Sequence, residues 1–166
     1  MKIGICAAAA GAVVLAAGVA AAAAADGQHS MPMDHGAMHA APVADTRELV
    51  HFPAPLIEHT LANMRDHLVT LSRIQAHLAK HEFDKAGNLA EERLGMSSLG
   101  LHGAHEVAPY MPKGMQEAGT AMHRAASRFA VATQEAAIDG DVARALGALD
   151  EVNQACIACH AAYRLR

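Results

Sequence analysis

Apolar side chains recur at intervals of three and four residues from Leu56 onward, the pattern of amphipathic helices. In the first such stretch the recurring apolar positions are Ile57, Leu61, Met64, Leu68, Leu71, Ile74 and Leu78. Pro55 suits the first turn of a helix, and the pattern weakens over residues 81–83. The spacing therefore predicts a first long helix that begins near Pro55 and ends before residue 81.

Three more helical stretches follow. The second is predicted to begin at Asp84, a good N-cap residue, and to run through Leu94 until glycines and prolines interrupt the pattern. The third begins after Pro112 and stops near Gly140, and its apolar positions are Met115, Met122, Ala125, Phe129 and Ala132. The fourth begins at Asp141, and its apolar positions are Val142, Leu146, Leu149, Val152, Cys156, Cys159 and Tyr163.

The helical pattern predicts the fold class. No stretch alternates with a period of two, so no sheet is expected. Four amphipathic helices with short connections predict an all-α fold, an antiparallel four-helix bundle over residues 51–166. Residues 26–50 lack a regular apolar period and are predicted to form a disordered, Met/His-rich tail.

Residues 1–25 have the pattern of a cleaved secretory signal peptide. Lys2 provides a positive start, residues 3–25 carry no charge, and a run of alanines precedes Asp26. An uncleaved membrane anchor is the alternative, because the stretch is long enough to span a bilayer. Its glycine and alanine content makes it weakly hydrophobic, which favours cleavage. Both interpretations predict an exported, periplasmic domain.

Composition and charge favour some classes of function and argue against nucleic-acid binding. Hydrophobic residues make up 52% of the 166-residue chain, but aromatic residues make up 3% and Trp is absent, so a core of alanine-rich helices has few large side chains. A buried macrocycle would supply the missing apolar volume. The formal net charge of −4 argues against nucleic acid as a partner and is compatible with a basic redox partner.

The fourth helical stretch contains the sequence Cys156-Ile157-Ala158-Cys159-His160, which is the attachment sequence of a c-type haem. Residues three apart share one helix face, so both thiols can reach one porphyrin edge while His160 approaches the iron as the proximal ligand. A disulfide, a thioredoxin-like redox pair and a zinc site are the alternatives. The redox pair needs a preceding strand, and zinc needs further ligands, so one covalent haem c is favoured.

The C-terminal motif reads Cys-x-x-Cys-His-x-x-Tyr-Arg and consists of Cys156, Cys159, His160, Tyr163 and Arg164. It resembles the haem site of class II cytochromes c, the cytochrome c prime family, and the similarity covers roughly residues 55–166. The resemblance implies an exported protein with haem on the last helix of a four-helix bundle. It also implies that the protein has redox partner proteins and forms a homodimer through the first helices. Tyr163 and Arg164 would belong to the haem site.

The sixth iron ligand separates two functions within this family. In the low-spin members a methionine of the first helix ligates the iron, and Met64 resembles it; the alternative is that Met64 fills the core. His67 is a second candidate, or else an exposed or hydrogen-bonded helix histidine. An apolar lid of Leu68 or Val69 would instead leave a five-coordinate iron that binds NO or CO. Arg65 resembles the arginine that pairs with a haem propionate, or is a surface charge.

The predicted tail suggests a further function. Between residues 29 and 39 lie six soft or borderline metal donors: His29, Met31, Met33, His35, Met38 and His39. Thioethers select Cu(I) and imidazoles bind both copper states, so copper handling stands beside the simpler interpretation of a biased linker. The pairs His77/His81 and His102/His105 are weaker metal candidates. No nucleophile–base pattern predicts an enzyme, so an electron carrier remains the leading hypothesis.

Overall fold

Helices make up most of residues 44–166, which are the residues that the computed structural model describes. The five helices are α1 (Ala54–Leu78), α2 (Phe83–Arg93), α3 (Ala104–Val107), α4 (Lys113–Asp139) and α5 (Val142–Ala162). Two strands, β1 (Glu48–Val50) and β2 (Tyr163–Leu165), precede and follow them. The expectation of a mainly helical fold is confirmed. The signal peptide predicted for residues 1–25 and the six donors of the tail lie outside the described residues.

In three of the four predicted helices, the observed boundaries follow local sequence signals. Helix α1 ends at Leu78, and α4 begins directly after Pro112 and ends before Gly140, which adopts a left-handed φ of 75°. Asp141 caps α5, because its side chain accepts a hydrogen bond from the backbone N–H of Arg144 at 3.0 Å.

The start of α2 differs from the prediction. The helix begins at Phe83, and Glu82 occupies the N-cap position without a side-chain capping bond. Asp84 therefore lies inside the first turn, where its charge still interacts favourably with the helix dipole. Phe83 is buried, and its packing into the core explains why the helix begins before the better capping residue.

A small parallel sheet joins the two ends of the described chain. Strand β1 pairs with β2 in the register Glu48↔Tyr163, Leu49↔Arg164 and Val50↔Leu165. The expectation of no sheet was wrong, because three-residue strands are too short to produce an alternating pattern and their partners lie far apart in sequence. Since β1 falls within the predicted tail, the compact unit begins at Ala44 and not at residue 51.

The main hydrophobic core lies among α1, α2, α4 and α5. Its buried members include six alanines, which let helices approach closely, and a few larger side chains such as Phe129, Ile74 and Val152. Helix α4 packs most extensively on α5 and then on α2, while α1 packs on α2. Where α2 packs on α4, a Cβ atom added to Gly87 would collide with the Thr133 hydroxyl.

A second, smaller core lies beneath the two strands. It contains Val50, Phe52, Val107 and Met115, and α5 contributes the partly buried Cys159 to it. Both cores support the C-terminal end of α5, which carries the predicted haem-attachment motif.

The first half of α1 does not bury the predicted apolar stripe. Leu61 and Leu68 are 44% and 69% exposed, whereas Thr60 and His67 are buried. This part of α1 faces a cavity, and the apolar stripe packs on the main core from Leu71 onward. None of the helices within residues 44–166 is long and apolar enough to cross a membrane.

Candidate functional site

A cavity of about 560 Å³ lies beside the C-terminal end of α5. Five parts of the chain form its walls: Arg47, the first half of α1, residues 99–111, the first half of α4, and residues 159–165. Most of the lining is apolar, with Ile57, Leu99 and Val107 among its members. The volume is in the range of sites that enclose a small molecule or cofactor.

The predicted attachment motif lies at the edge of this cavity. Cys156 and Cys159 are three residues apart on α5, both partly buried and both free thiols. Cys156 packs on the main core and Cys159 on the smaller one. Cys159 and the exposed His160 line the cavity directly. The helix therefore presents one thiol and the imidazole to the same space, with the second thiol one turn earlier.

The electrostatics of the two thiols argue against a thioredoxin-like redox pair. Burial raises the pKa of Cys159, and burial together with the neighbouring Cys159 raises the pKa of Cys156. Reactive thiols have a lowered pKa, usually near a cation or at a helix N-terminus. Here both cysteines lie near the C-terminal end of a long helix, so they remain protonated at neutral pH.

Two arginines lie at the cavity, held by one carboxylate. Arg47 donates from Nη2 to Asp45 Oδ2 at 2.8 Å and from Nη1 to the His160 carbonyl oxygen at 3.4 Å. Hydrogen bonding from Arg47 holds the pKa of Asp45 well below its usual range. Arg164 Nε lies 3.4 Å from the same carboxylate but makes no hydrogen bond there, and it is buried.

The structure identifies Arg47 and Arg164 as the cations of the cavity, whereas the predicted Arg65 is exposed and does not line it. Arg164, a predicted site residue, lies on the cavity wall. Arg47 was missed because it falls in the segment predicted to be a disordered tail.

Tyr163 lines the cavity and also contacts the first turn of α4. A Cβ atom added to Gly114 would collide with the Tyr163 hydroxyl, so glycine at this position leaves room for the ring. The predicted site residue Tyr163 therefore connects the C-terminal strand to α4.

The candidates for the opposite side of the cavity separate into two groups. Met64 is half-buried, His67 is 8% exposed, and both line the cavity. Leu68 and Val69 are 69% and 48% exposed and do not line it. The expectation that one of these two forms an apolar lid was wrong, because they project from another face of α1.

A cluster of buried histidines forms part of the same wall. His67 Nε2 lies 3.2 Å from His102 Nε2, and the rings of His102 and His123 are 5.3 Å apart between centroids. Burial, together with neighbouring histidines, lowers the pKa of His67 and of His102 to about 4. These imidazoles are therefore neutral at pH 7.

This cluster could hardly be predicted, because His67 and His102 are far apart in sequence and no helix period relates them. His67 is not exposed but buried, and its Nε2 lies within hydrogen-bond distance of His102. The only available signal was its position three residues after Met64, which places both side chains on one side of α1.

The two histidine pairs predicted as secondary metal sites do not form. His77 Nδ1 lies 2.6 Å from Glu82 Oε2, while the His81 ring packs against Phe83 beyond the end of α1. His102 contacts His67 and not His105. Within residues 44–166, no group of three or more His, Cys, Asp or Glu side chains converges in a metal-binding arrangement.

Comparisons of the chain with protein-family models, with curated proteins and with solved structures found no match. The chemistry of the cavity and its walls is therefore the basis for assigning a function.

Proposed function

We propose that the protein is a periplasmic, monohaem c-type cytochrome of class II that carries single electrons. In this proposal α1, α2, α4 and α5 form an antiparallel four-helix bundle, and the haem occupies the cavity beside α5. The observation that carries the proposal is the position of the Cys-x-x-Cys-His motif against a largely apolar cavity of about 560 Å³.

The thiols suit covalent attachment. Cys156 and Cys159 are free, lie three residues apart on one helix, and are partly buried beside the cavity. Two thioether bonds from such a pair would fix one edge of a porphyrin. His160 lines the cavity and offers the imidazole for the proximal iron position.

The polar atoms of the cavity also fit this group. Thr60 Oγ1 and Arg164 Nε are buried and have no hydrogen-bond partner, and both residues line the cavity. Buried polar groups without partners are rare, so two at one cavity favour a polar ligand that satisfies them. Arg47 and Arg164 would bind carboxylates, which haem carries as propionates.

The chain's own residues would set the properties of the redox centre. A bound haem supplies one-electron chemistry, and the surrounding residues determine its exposure and charge. The apolar walls exclude water, while Arg47 and Arg164 balance the negative propionates. Met64 is the candidate for the sixth iron position, where a thioether would raise the potential and suit electron transfer.

Attachment can be tested by maturing the full chain in a host competent for c-type cytochromes. The pyridine haemochrome spectrum should show one covalently bound haem per chain. Replacing both Cys156 and Cys159 with Ala should abolish covalent haem. Ile157→Ala, on an exposed residue between them, should leave it unchanged. A colourless parent protein with free or disulfide-bonded cysteines would contradict the proposal.

A five-coordinate haem that binds NO or CO is the second candidate. It is favoured by the half-buried state of Met64, because a side chain that is partly in solvent is held less firmly than a fully buried ligand. The ferrous visible spectrum distinguishes the two functions, since split α and β bands indicate a low-spin, six-coordinate carrier and one broad band indicates a high-spin, gas-binding iron. Met64→Ala should convert the first spectrum into the second, whereas Met111→Ala, at another cavity methionine, should not.

A further inference from the structure

The histidine pair on the cavity wall has the spacing of two ligands to one metal ion. His67 is on α1 and His102 precedes α3, and they are 8% and 7% exposed. Their Nε2 atoms are 3.2 Å apart. Two nitrogen ligands at bonds of 2.0–2.1 Å in a tetrahedral arrangement are separated by about 3.3 Å. The imidazoles are therefore already at coordination distance, and both border the cavity from which an ion would arrive.

His102 is held in this orientation by its surroundings. Its carbonyl oxygen accepts a hydrogen bond from Asn63 Nδ2 at 3.1 Å and lies 3.1 Å from His59 Nε2, so two side chains of α1 fix its backbone. Its Nδ1 lies 3.4 Å from Ser98 Oγ, and the Ser98 hydroxyl donates to the Gly95 carbonyl oxygen at 2.7 Å.

This chain of contacts selects a tautomer of His102. Because the Ser98 proton points to Gly95, Ser98 Oγ accepts from His102 Nδ1–H. The lone pair of His102 Nε2 then faces His67. Metal-binding histidines usually donate their second ring N–H to such a partner, which fixes the ring.

The remaining lining favours a soft, singly charged ion. Four methionines line the cavity: Met64, Met111, Met115 and Met122. No carboxylate lines it among the residues that the structure describes, while Arg47 and Arg164 add positive charge. Hard divalent cations need oxygen ligands and negative charge, whereas imidazole and thioether donors suit Cu(I).

We propose that His67 and His102 form a Cu(I) site in the cavity wall, completed by a cavity thioether and separate from the His160 position. In the metal-free protein His67 Nε2–H donates to His102 Nε2. Copper takes the place of that proton, and the proton moves to His67 Nδ1. Binding therefore releases no proton to solvent, and copper stays in the Cu(I) state. The site does not depend on the tail or on haem.

The test uses the full chain with the six tail donors His29, Met31, Met33, His35, Met38 and His39 replaced by Ala. Cu(I) is titrated anaerobically against a chromogenic Cu(I) chelator, in haem-loaded protein and in a Cys6→Ser/Cys156→Ser/Cys159→Ser variant that has neither covalent haem nor thiols. Each should bind one equivalent. The His67→Ala and His102→Ala variants should each lose this bound Cu(I). The His51→Ala variant, changed at an exposed histidine, should retain it.

Ser98→Ala serves as a milder variant if removal of a buried histidine disturbs folding. It keeps both imidazoles but removes the partner of His102 Nδ1, so the Cu(I) affinity should fall about 10–100-fold. Equal copper binding by the parent, the His67 and the His102 variants would overturn the proposal, as would no binding by the parent. The haemochrome spectrum of the same samples reports haem attachment independently, so failure of either proposal is recognised separately.

Discussion

Two buried, neutral histidines in the cavity wall should make the stability of the protein depend on pH. His67 and His102 are buried beside each other, and their pKa values are lowered to about 4 mainly by that burial. An unfolded histidine titrates near 6.5. The unfolded chain therefore takes up protons between pH 6.5 and 4 that the folded protein does not bind.

Stability of the copper-free protein should consequently be highest above pH 6.5 and fall as the pH is lowered toward 4. For the pair we expect a loss on the order of 1–3 kcal/mol in the free energy of unfolding, because protonation of one imidazole opposes that of the other. Urea denaturation at pH 7, 5 and 4 measures it. Replacing both histidines with Gln should remove this part of the slope, while His51→Gln should leave it. An unchanged slope in the double variant would show that the two imidazoles titrate normally.

Residues whose role depends on local spacing could be predicted from the sequence. Cys156, Cys159 and His160 lie within five residues, and helix geometry alone relates them. Arg47 and the pairing of His67 with His102 could not be predicted, because each depends on contacts between distant segments. The same limit explains Arg65, which was assigned by its resemblance to a first-helix arginine of the family and does not line the cavity.

At the scale of elements, close helix packing depends on small residues at particular positions. Gly87 lets α2 approach α4, where its added Cβ atom would meet the Thr133 hydroxyl and lie 3.2 Å from the Ala130 carbonyl oxygen. Thr133 is fully buried and donates to that same carbonyl, so it has little freedom to move.

Gly87→Ala should therefore destabilise the protein by about 1–3 kcal/mol, despite the higher helix propensity of alanine. Gly147→Ala on α5 is the matched control, because an added Cβ atom there meets nothing within 4 Å. That change should be neutral or stabilise by up to about 1 kcal/mol. Chemical denaturation compares the two variants, and equal effects would mean that α2 and α4 are not in close contact at Gly87.

The helices themselves were largely predictable, since periodicity, prolines and the cap at Asp141 act locally. The strands were not, because their stability comes from pairing across the chain and not from their own three residues. The early start of α2 has a similar origin: burial of Phe83 outweighs the capping preference of Asp84.

At the scale of the whole molecule, the parallel pairing of β1 with β2 closes the domain. Val50 is 3% exposed in the smaller core, and its carbonyl oxygen accepts from the Arg166 N–H at 3.0 Å. The segment that carries Arg47 is thereby held beside the segment that carries Tyr163 and Arg164.

Val50→Asp should detach these ends, because an unpaired carboxylate in this core costs several kcal/mol. Hydrogen exchange should become faster at residues 48–50 and 163–165 while α4 and α5 remain protected. Glu48→Gln, on an exposed position of the same strand, should leave exchange unchanged. Uniformly faster exchange in the Val50 variant would show that the strands and the helices unfold together.

Pairing between two strands that are far apart in sequence also imposes an order of events. All of the helices separate β1 from β2, so β1 has no partner until residues 163–165 fold back beside it. Closing so long a loop is also entropically costly, which places this step late in folding. Until then residues 163–165 do not complete their side of the cavity, so a ligand entering the cavity would meet an open side there.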